Sequence, residues 1–156
     1  MIGVIQRVSN AEVWVRGKRV SGIAGGVLLL VGIAREDGPE DVSYLVNKTV
    51  HLRIFGDEQG QLNKSLLDVN GGILVVSQFT LLGDTSKGRR PSFTDAAKPV
   101  QAKALYQRII EKFKEYDIPV KEGVFRAIME IKLTNQGPVT IIINTKDKKP
   151  RNNLVR

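Results

Sequence analysis

Val27-Leu28-Leu29-Leu30-Val31, entered through Gly25-Gly26, is the stretch of sequence that decides the fold class. Each residue of this run is apolar, whereas a strand with one face in water alternates apolar and polar side chains. The run therefore predicts a strand covered on both faces, in a sheet packed under helices or against a second sheet. It is also far too short to cross a membrane, and no membrane partner is expected.

Further strand patterns lie on both sides of this run. Residues 2–34 predict a β-meander with a turn at Arg16-Gly17-Lys18, and Ile73-Leu74-Val75-Val76 predicts a second buried strand. The glycine pairs at 25–26 and 71–72 lack the spacing of a nucleotide-binding fingerprint and indicate hairpin turns. Three later strands are predicted at Pro119-Val120, Met129 to Leu133 and Val139 to Ile143.

Two amphipathic helices are predicted, beginning at Pro39 and Pro99, because proline is favoured at the first helical position. In both segments the inward positions recur at helical spacing, so each helix buries one face. Those positions are Val42, Leu45, Val46, Thr49, Val50 and Leu52 in the first helix, and Ala102, Leu105, Tyr106, Ile109, Ile110 and Phe113 in the second. Strands and helices together predict an α+β fold.

The composition limits the organisation and the partners of the chain. Its 156 residues suffice for one domain but not comfortably for two. It has no cysteine, hence no disulfide or thiolate site, and its first residues do not resemble a secretory signal, so a cytoplasmic protein is expected. A net charge of +8 favours a polyanionic partner such as nucleic acid.

Half of that charge lies at the C-terminal end. We predict a single domain over residues 1–145, followed by a basic tail over residues 146–156. The tail carries five basic side chains and one acidic one, and its proline and asparagines discourage regular structure. A mobile solubilising tail and a tail that contacts phosphates both remain open.

Side chains suited to hydrolysis are scarce. His51 is the only histidine, and it falls at the end of the first predicted helix, where a capping or surface role is expected. A Ser-His-Asp triad is therefore disfavoured. No group of histidine, aspartate and glutamate has metal-ligand spacing, and we expect neither a metal nor a cofactor.

Two polar segments interrupt otherwise apolar strands, Ser77-Gln78-Phe79-Thr80 and Asn135-Gln136-Gly137-Pro138-Val139-Thr140. Burying hydroxyl and amide groups costs free energy unless they are hydrogen-bonded, so these side chains either cap a strand or face a cleft. A basic segment, Lys87-Gly88-Arg89-Arg90-Pro91, lies in a predicted loop over residues 83–97. Two interpretations of this segment are equally consistent with its composition: it binds phosphates, or it is an ordinary run of solvated charges.

The two polar segments resemble the two signature motifs of the D-aminoacyl-tRNA deacylase family. Three further segments resemble the family in the same order, so the likeness extends over about residues 1–145. They are Val4-Ile5-Gln6-Arg7-Val8, Asn63-Lys64-Ser65 with Asp68-Val69, and Lys87-Gly88-Arg89-Arg90-Pro91-Ser92-Phe93. One position departs: the family usually reads Gly-x-Phe-Gly-Ala, whereas this chain has Gly123-Val124-Phe125-Arg126-Ala127.

The resemblance implies a β-barrel-like sheet with flanking helices, forming a homodimer whose active sites lie at the subunit interface. It implies catalytic roles for Ser77, Gln78, Phe79 and Thr80, which meet a cis Gly137-Pro138 bond of the other subunit. The substrate-binding residues that it implies are Gly137, Pro138, Phe125, Met129, Asn135 and Arg7, and Lys87, Arg89 and Arg90 are candidates for contacting phosphates. Arg126 either alters access to the pocket for the terminal adenosine or points away.

The implied activity is hydrolysis of the ester between a D-amino acid and tRNA, which is chiral proofreading. A Gly-Pro backbone placed where an L side chain would lie would exclude L esters but not glycine, so glycine mischarged on tRNA(Ala) is a further expected substrate. Thr80 as a nucleophile and water activated by the ribose hydroxyl both remain open, with water favoured because threonine needs an adjacent base. A non-catalytic RNA-binding module and a small-molecule esterase are the alternative functions.

Overall fold

The structure is a computed structural model that describes residues 1–147 of the chain. Strands and helices follow one another as the α+β interpretation predicts, and both helices begin at the predicted prolines. The strands are β1 Ile2–Val15, β2 Lys18–Ile23, β3 Gly26–Gly32, β4 Phe55–Gly56, β5 Leu62–Lys64, β6 Gly72–Ser77, β7 Val120–Glu122 and β8 Glu130–Asn144; the α-helices are α1 Pro39–His51 and α2 Pro99–Phe113; short 3-10 helices cover Phe79–Leu82 and Thr145–Asp147.

Six of the strands form one strongly curved sheet. β1 pairs antiparallel with β8 along one edge, and along its other edge with β3 in its first half and β2 in its second half. β3, β6 and β7 then continue in parallel. The Ser21 hydroxyl on β2 donates a 2.7 Å hydrogen bond to the Glu122 carbonyl on β7, so the two ends of the strand order meet and nearly close a barrel.

The predicted meander was wrong in its pairing, because β1 lies between β2 and β3. Gly25-Gly26 and Gly71-Gly72 are consequently not hairpin turns: Gly26 and Gly72 are partners at the start of the parallel β3–β6 pair. A Cβ on Gly26 would lie 1.9 Å from the Gly72 carbonyl oxygen, so a side chain has no room there. The strands predicted at Met129 to Leu133 and Val139 to Ile143 are parts of one strand, β8.

The buried run in β3 is confirmed, with Val27, Leu28, Leu29 and Val31 wholly inaccessible to solvent. Val27, Leu29 and Val31 belong to a core shared with α1 and α2 on the outside of the sheet. Leu28 belongs to a second core inside the barrel. A continuous apolar run thus serves two hydrophobic cores, one on each face of the strand.

The two helices pack against the outer face of the sheet and against each other. Their buried faces are the predicted ones, except that Leu52 caps α1 and is only partly buried, as is Ala102 on α2. Within residues 1–147 no helix is long and apolar enough to span a membrane. Of the predicted tail, Lys146 and Asp147 belong to the last 3-10 helix, where Lys146 pairs with Glu36 at 3.6 Å, and residues 148–156 lie outside the described residues.

Candidate active site

A cavity of about 720 Å³, called the main cavity below, opens between the end of β6, the start of α2 and the segment that joins β7 to β8. Of the predicted catalytic residues, Ser77, Gln78 and Phe79 line it, as do the predicted substrate-binding residues Phe125 and Met129. The structure therefore brings together two segments that are some 45 to 50 positions apart in sequence. A cavity of this size suits a small organic ligand or part of a larger one.

The chain turns sharply where β6 ends at the main cavity. The Gln78 N–H donates a 2.8 Å hydrogen bond to the Val31 carbonyl on β3, and a 3-10 helix begins at the next residue. The first N–H groups of a helix have no partner within it, so those of Phe79 and Thr80 are available as donors. The Gln78 side-chain amide donates to the Thr80 hydroxyl, and Thr80 itself is exposed beside the cavity.

Aromatic rings form part of the cavity wall. Phe79 is 56% exposed, and its ring lies edge-on to that of Phe93 with centroids 5.0 Å apart. The Phe125 ring packs against the Tyr106 ring, with the two centroids 5.8 Å apart. A large apolar ring left half in water at a cavity mouth indicates a surface that a ligand or partner covers.

The Gly137–Pro138 peptide bond is cis, as the resemblance implies. It lies in β8 where pairing with β1 is interrupted, and Gln136, Gly137 and Pro138 are exposed; we call these three residues the Gly-Pro segment. The Asn135 side chain closes the segment, since its Oδ1 accepts from the Val139 N–H at 2.8 Å and its Nδ2 donates to the Thr140 hydroxyl at 2.9 Å. The Gly-Pro segment does not line the main cavity of its own chain.

Arg7 supports the Gly-Pro segment from β1. Its Nε donates to the Gln136 carbonyl at 2.8 Å and its Nη1 donates to the Ile54 carbonyl at 2.6 Å. Arg7 and Asn135 were both predicted as substrate-binding residues, and in the structure their side chains engage the backbone of the segment. They therefore fix the position of Gly137 and Pro138.

The basic residues Lys87, Arg89 and Arg90 are exposed in the loop between the first 3-10 helix and α2. Reciprocal backbone hydrogen bonds of 2.8 Å between Asp84 and Ser92 close this loop, which places the three cations at its tip. The Ser86 N–H donates to the Asp84 carboxylate and holds the pKa of that group below its ordinary value. None of the three cations lines the main cavity, although Phe93 just after them does.

Arg126, the position that departs from the family pattern, is among the residues that line the main cavity. Its φ of 65° lies in the left-handed region, which favours glycine. Residues around the start of α2 also line the main cavity, and the sequence pattern did not predict this. They reach the cavity only because α2 packs on the sheet. These unanticipated lining residues are Ala96, Ala97, Lys98, Pro99 and Ala102.

His51 lies outside the cavity, as predicted. It is the last residue of α1, its Nδ1 lies 2.8 Å from the Asn47 carbonyl, and its ring contacts Tyr116 edge-on. Within residues 1–147 no three histidine, aspartate or glutamate side chains lie close enough together to hold a metal ion. Besides the Lys98 and Arg126 cations, the polar groups that the described residues bring to the cavity are amide, hydroxyl and backbone N–H groups.

A family model described as D-Tyr-tRNA(Tyr) deacylase matches residues 4–144. Proteins named D-aminoacyl-tRNA deacylase from Thermosipho africanus and Fusobacterium nucleatum are similar to it, at 50% identity over 94% of this chain and 98% of the former, and 56% identity over 92% of this chain and 95% of the latter.

Two solved structures share the fold. The c-Myc DNA Unwinding Element Binding Protein superposes with a TM-score of 0.87 at 39% identity, covering 92% of this chain and 98% of its own. A structure described as a probable eukaryotic D-amino acid tRNA deacylase superposes with a TM-score of 0.77 at 20% identity, covering 91% of this chain and 97% of its own. The second likeness concerns the fold alone.

Proposed function

The chain belongs to the D-Tyr-tRNA(Tyr) deacylase family, and from that premise we propose that it hydrolyses the ester between a D-amino acid and tRNA. The products are the free D-amino acid and the tRNA, and the role is chiral proofreading in the cytoplasm. The observation that carries the proposal is the position of Ser77, Gln78 and Phe79 on one wall of a cavity completed by Phe125 and Met129. The terminal adenosine and its amino acid occupy this cavity.

A second copy of the chain completes each active site in this proposal. The Gly-Pro segment is exposed and rigidly held by Arg7 and Asn135, yet it stands outside the cavity of its own chain. An exposed segment so firmly fixed suits insertion into the main cavity of a partner. Ile142, on the same strand, is 71% exposed and supplies apolar surface for such a homodimer.

In this proposal L-amino acids are rejected by the position of the Gly-Pro backbone relative to the bound ester. D and L esters have equal volume and equal apolar area, so pocket size cannot separate them. A rigid wall at the position of the L side chain can, because only the L ester collides with it. Glycine has no side chain to collide, and we therefore include glycine mischarged on tRNA(Ala) among the substrates.

For the chemical step we favour attack by a water molecule, activated by the ribose hydroxyl of the tRNA. The Thr80 hydroxyl is hydrogen-bonded to the Gln78 amide, and an amide is not a base that could remove its proton. The N–H groups of Phe79 and Thr80 at the start of the 3-10 helix suit stabilisation of the tetrahedral oxyanion. Ser77 and Gln78 then position the ester against these donors.

The proposal is tested by incubating the protein with D-tyrosyl-tRNA and, separately, L-tyrosyl-tRNA, with buffer as the blank. We expect the D ester to be lost more than about a hundredfold faster than the L ester. Glycyl-tRNA(Ala) is a third arm, which tests the glycine expectation independently. Loss of neither tyrosyl ester above the blank overturns the enzyme proposal.

A non-catalytic nucleic-acid-binding module is the second candidate function. It is favoured by the charge of +8 and by the likeness to a structure named for binding a DNA unwinding element. The same incubations separate the two functions, because a binding module retains the tRNA on a filter without releasing amino acid. Binding of either kind should weaken as salt is raised.

A further inference from the structure

A second cavity of about 630 Å³, called the side cavity below, adjoins the main cavity. Pro99, Phe125 and Arg126 line both cavities and form their common wall. The rest of the side cavity is contributed by β2, α2 and β7. A ligand that fills the main cavity can therefore continue into the side cavity past these three side chains.

The common wall is cationic. The Arg126 side chain is exposed, and among residues 1–147 it makes no hydrogen bond and no ion pair. Lys98 lines the main cavity and Lys103 the side cavity, while Glu122 is the single carboxylate among residues 1–147 that lines either one. Each cavity thus has a lysine in its lining besides the unpaired guanidinium that they share. Such a guanidinium favours a phosphate, which the planar fork of arginine binds through two hydrogen bonds.

Part of the side-cavity wall is apolar. Val20, Val100 and Val124 line it and are 46%, 86% and 44% exposed. Sites for single-stranded nucleic acid combine cations that follow the backbone with aromatic rings on which bases stack, and Phe125 supplies such a ring at the common wall. The side cavity thus combines the two kinds of surface that a nucleotide needs.

We propose that the side cavity binds the nucleotide preceding the terminal adenosine of the tRNA, and that Arg126 binds the phosphate joining the two nucleotides. This inference rests on the proposed function, which places the terminal adenosine in the main cavity. The phosphate on the 5′ side of that adenosine must pass the common wall if the chain continues into the side cavity. Arg126 is then a residue that recognises the nucleic-acid part of the substrate, separately from the amino acid.

The test uses a series of D-tyrosyl esters that grows by one chemical group at a time: the esters of adenosine, of adenosine 5′-phosphate and of the dinucleotide CpA. For the wild-type protein we expect kcat/KM to rise at each step. Arg126→Gly should reduce the gain from adenosine to adenosine 5′-phosphate about tenfold, the value of one charge-assisted hydrogen-bonded contact. Val100→Asp should instead reduce the gain from adenosine 5′-phosphate to CpA, because a carboxylate replaces apolar wall.

Arg16→Gly is the matched control, since Arg16 is also an exposed arginine at positive φ, 50°, but lies in the turn between β1 and β2. It should behave as wild type throughout the series. Wild-type activity without any gain along the series, or full gains in Arg126→Gly, overturns the inference alone. No activity on any ester or on D-tyrosyl-tRNA overturns the proposed function and the inference with it.

Discussion

The Nε of Arg7 donates a 2.8 Å hydrogen bond to the carbonyl oxygen of Gln136, the residue before Gly137. A Cβ on Gly137 would lie 2.8 Å from Nη2 of the same arginine, so the guanidinium packs directly on the glycine backbone. Because Nη1 also holds the Ile54 carbonyl, Arg7 ties the Gly-Pro segment to the chain that follows α1. One side chain thereby sets the position of the wall proposed to exclude L substrates.

Replacing Arg7 by lysine should remove this positioning, because an ammonium group cannot reproduce two hydrogen bonds in the fixed fork geometry of arginine. We expect kcat/KM for D-tyrosyl-tRNA to fall by about 10- to 100-fold through misplacement of the segment. The ratio of D to L hydrolysis should fall as well, which simple loss of folded protein would not produce.

Arg53→Lys is the control for Arg7→Lys. Arg53 also donates to a backbone carbonyl, that of Asn63 at 2.9 Å, but it does so near the β4–β5 hairpin. Its replacement should leave the D to L ratio unchanged. An equal effect of the two substitutions would show that Arg7 has no special part in positioning the Gly-Pro segment.

Thr80→Ala separates the two chemical mechanisms. If water attacks the ester, the variant should retain activity within about tenfold of the wild type, because the N–H of residue 80 remains as an oxyanion donor. If Thr80 is a covalent nucleophile, turnover should be lost almost completely. Single-turnover rates with D-tyrosyl-tRNA measure this, and rapid quenching of a Thr80-containing enzyme should yield no covalent aminoacyl-protein.

The elements that the sequence predicted well are those in which a single segment carries the whole signal. The run from Val27 to Val31 specified a strand buried on both faces, and helical spacing after Pro39 and Pro99 specified α1 and α2. Pairing was less accessible, because it depends on residues far apart in sequence. The two Gly-Gly pairs illustrate this, because each of them suggested a local turn. In the structure Gly26 and Gly72 lie opposite each other, and their lack of side chains permits close approach of two parallel strands.

The candidate site shows the same division. The hydroxyl and amide groups of Ser77 to Thr80 stand out in the sequence because they follow an apolar strand. Gln78 lines the cavity, whereas its bond to β3 is made by the backbone N–H and not by the side chain. The catalytic role predicted for them rests on the family resemblance alone. The contribution of Lys98 and Pro99 to the cavity had no local signal, since it arises from the docking of α2.

Tyr106 should make the stability of the protein depend on alkaline pH. Its hydroxyl is buried and donates to the Val75 carbonyl at 2.8 Å, and burial, aided by the charge of Glu122, raises its pKa. The folded protein keeps the proton while the unfolded chain releases it near pH ~10. The stabilising contribution is therefore complete below that pH and is lost as the pH rises above it, at about 1.4 kcal/mol per pH unit.

Tyr106→Phe isolates this effect. Below about pH 9 the variant should be less stable than the wild type by about 0.5–1.5 kcal/mol, because the Val75 carbonyl loses the hydrogen bond from Tyr106 and keeps the one from the Gly123 N–H. Above about pH 10 the difference should shrink, since phenylalanine cannot ionise in the unfolded state. Urea unfolding of both proteins across this range measures the gap, and a gap independent of pH would contradict the assignment.

Asp37 should contribute strongly to stability through the amino group of Met1. The two form a 2.6 Å ion pair that is almost completely buried, and the second carboxylate oxygen accepts from the Ala34 N–H at 2.6 Å. Asp37→Asn keeps the size of the side chain but leaves the ammonium group without a countercharge. We expect the free energy of unfolding to fall by about 3–5 kcal/mol, the usual result of breaking a buried pair from one side.

Glu115→Gln is the comparison for Asp37→Asn, because Glu115 pairs with Lys112 at 3.0 Å with both side chains substantially exposed. It should change the free energy of unfolding by less than about 1 kcal/mol. Urea denaturation midpoints at constant m-value measure both effects. Similar small losses for the two variants would mean that burial of the pair does not make Asp37 indispensable.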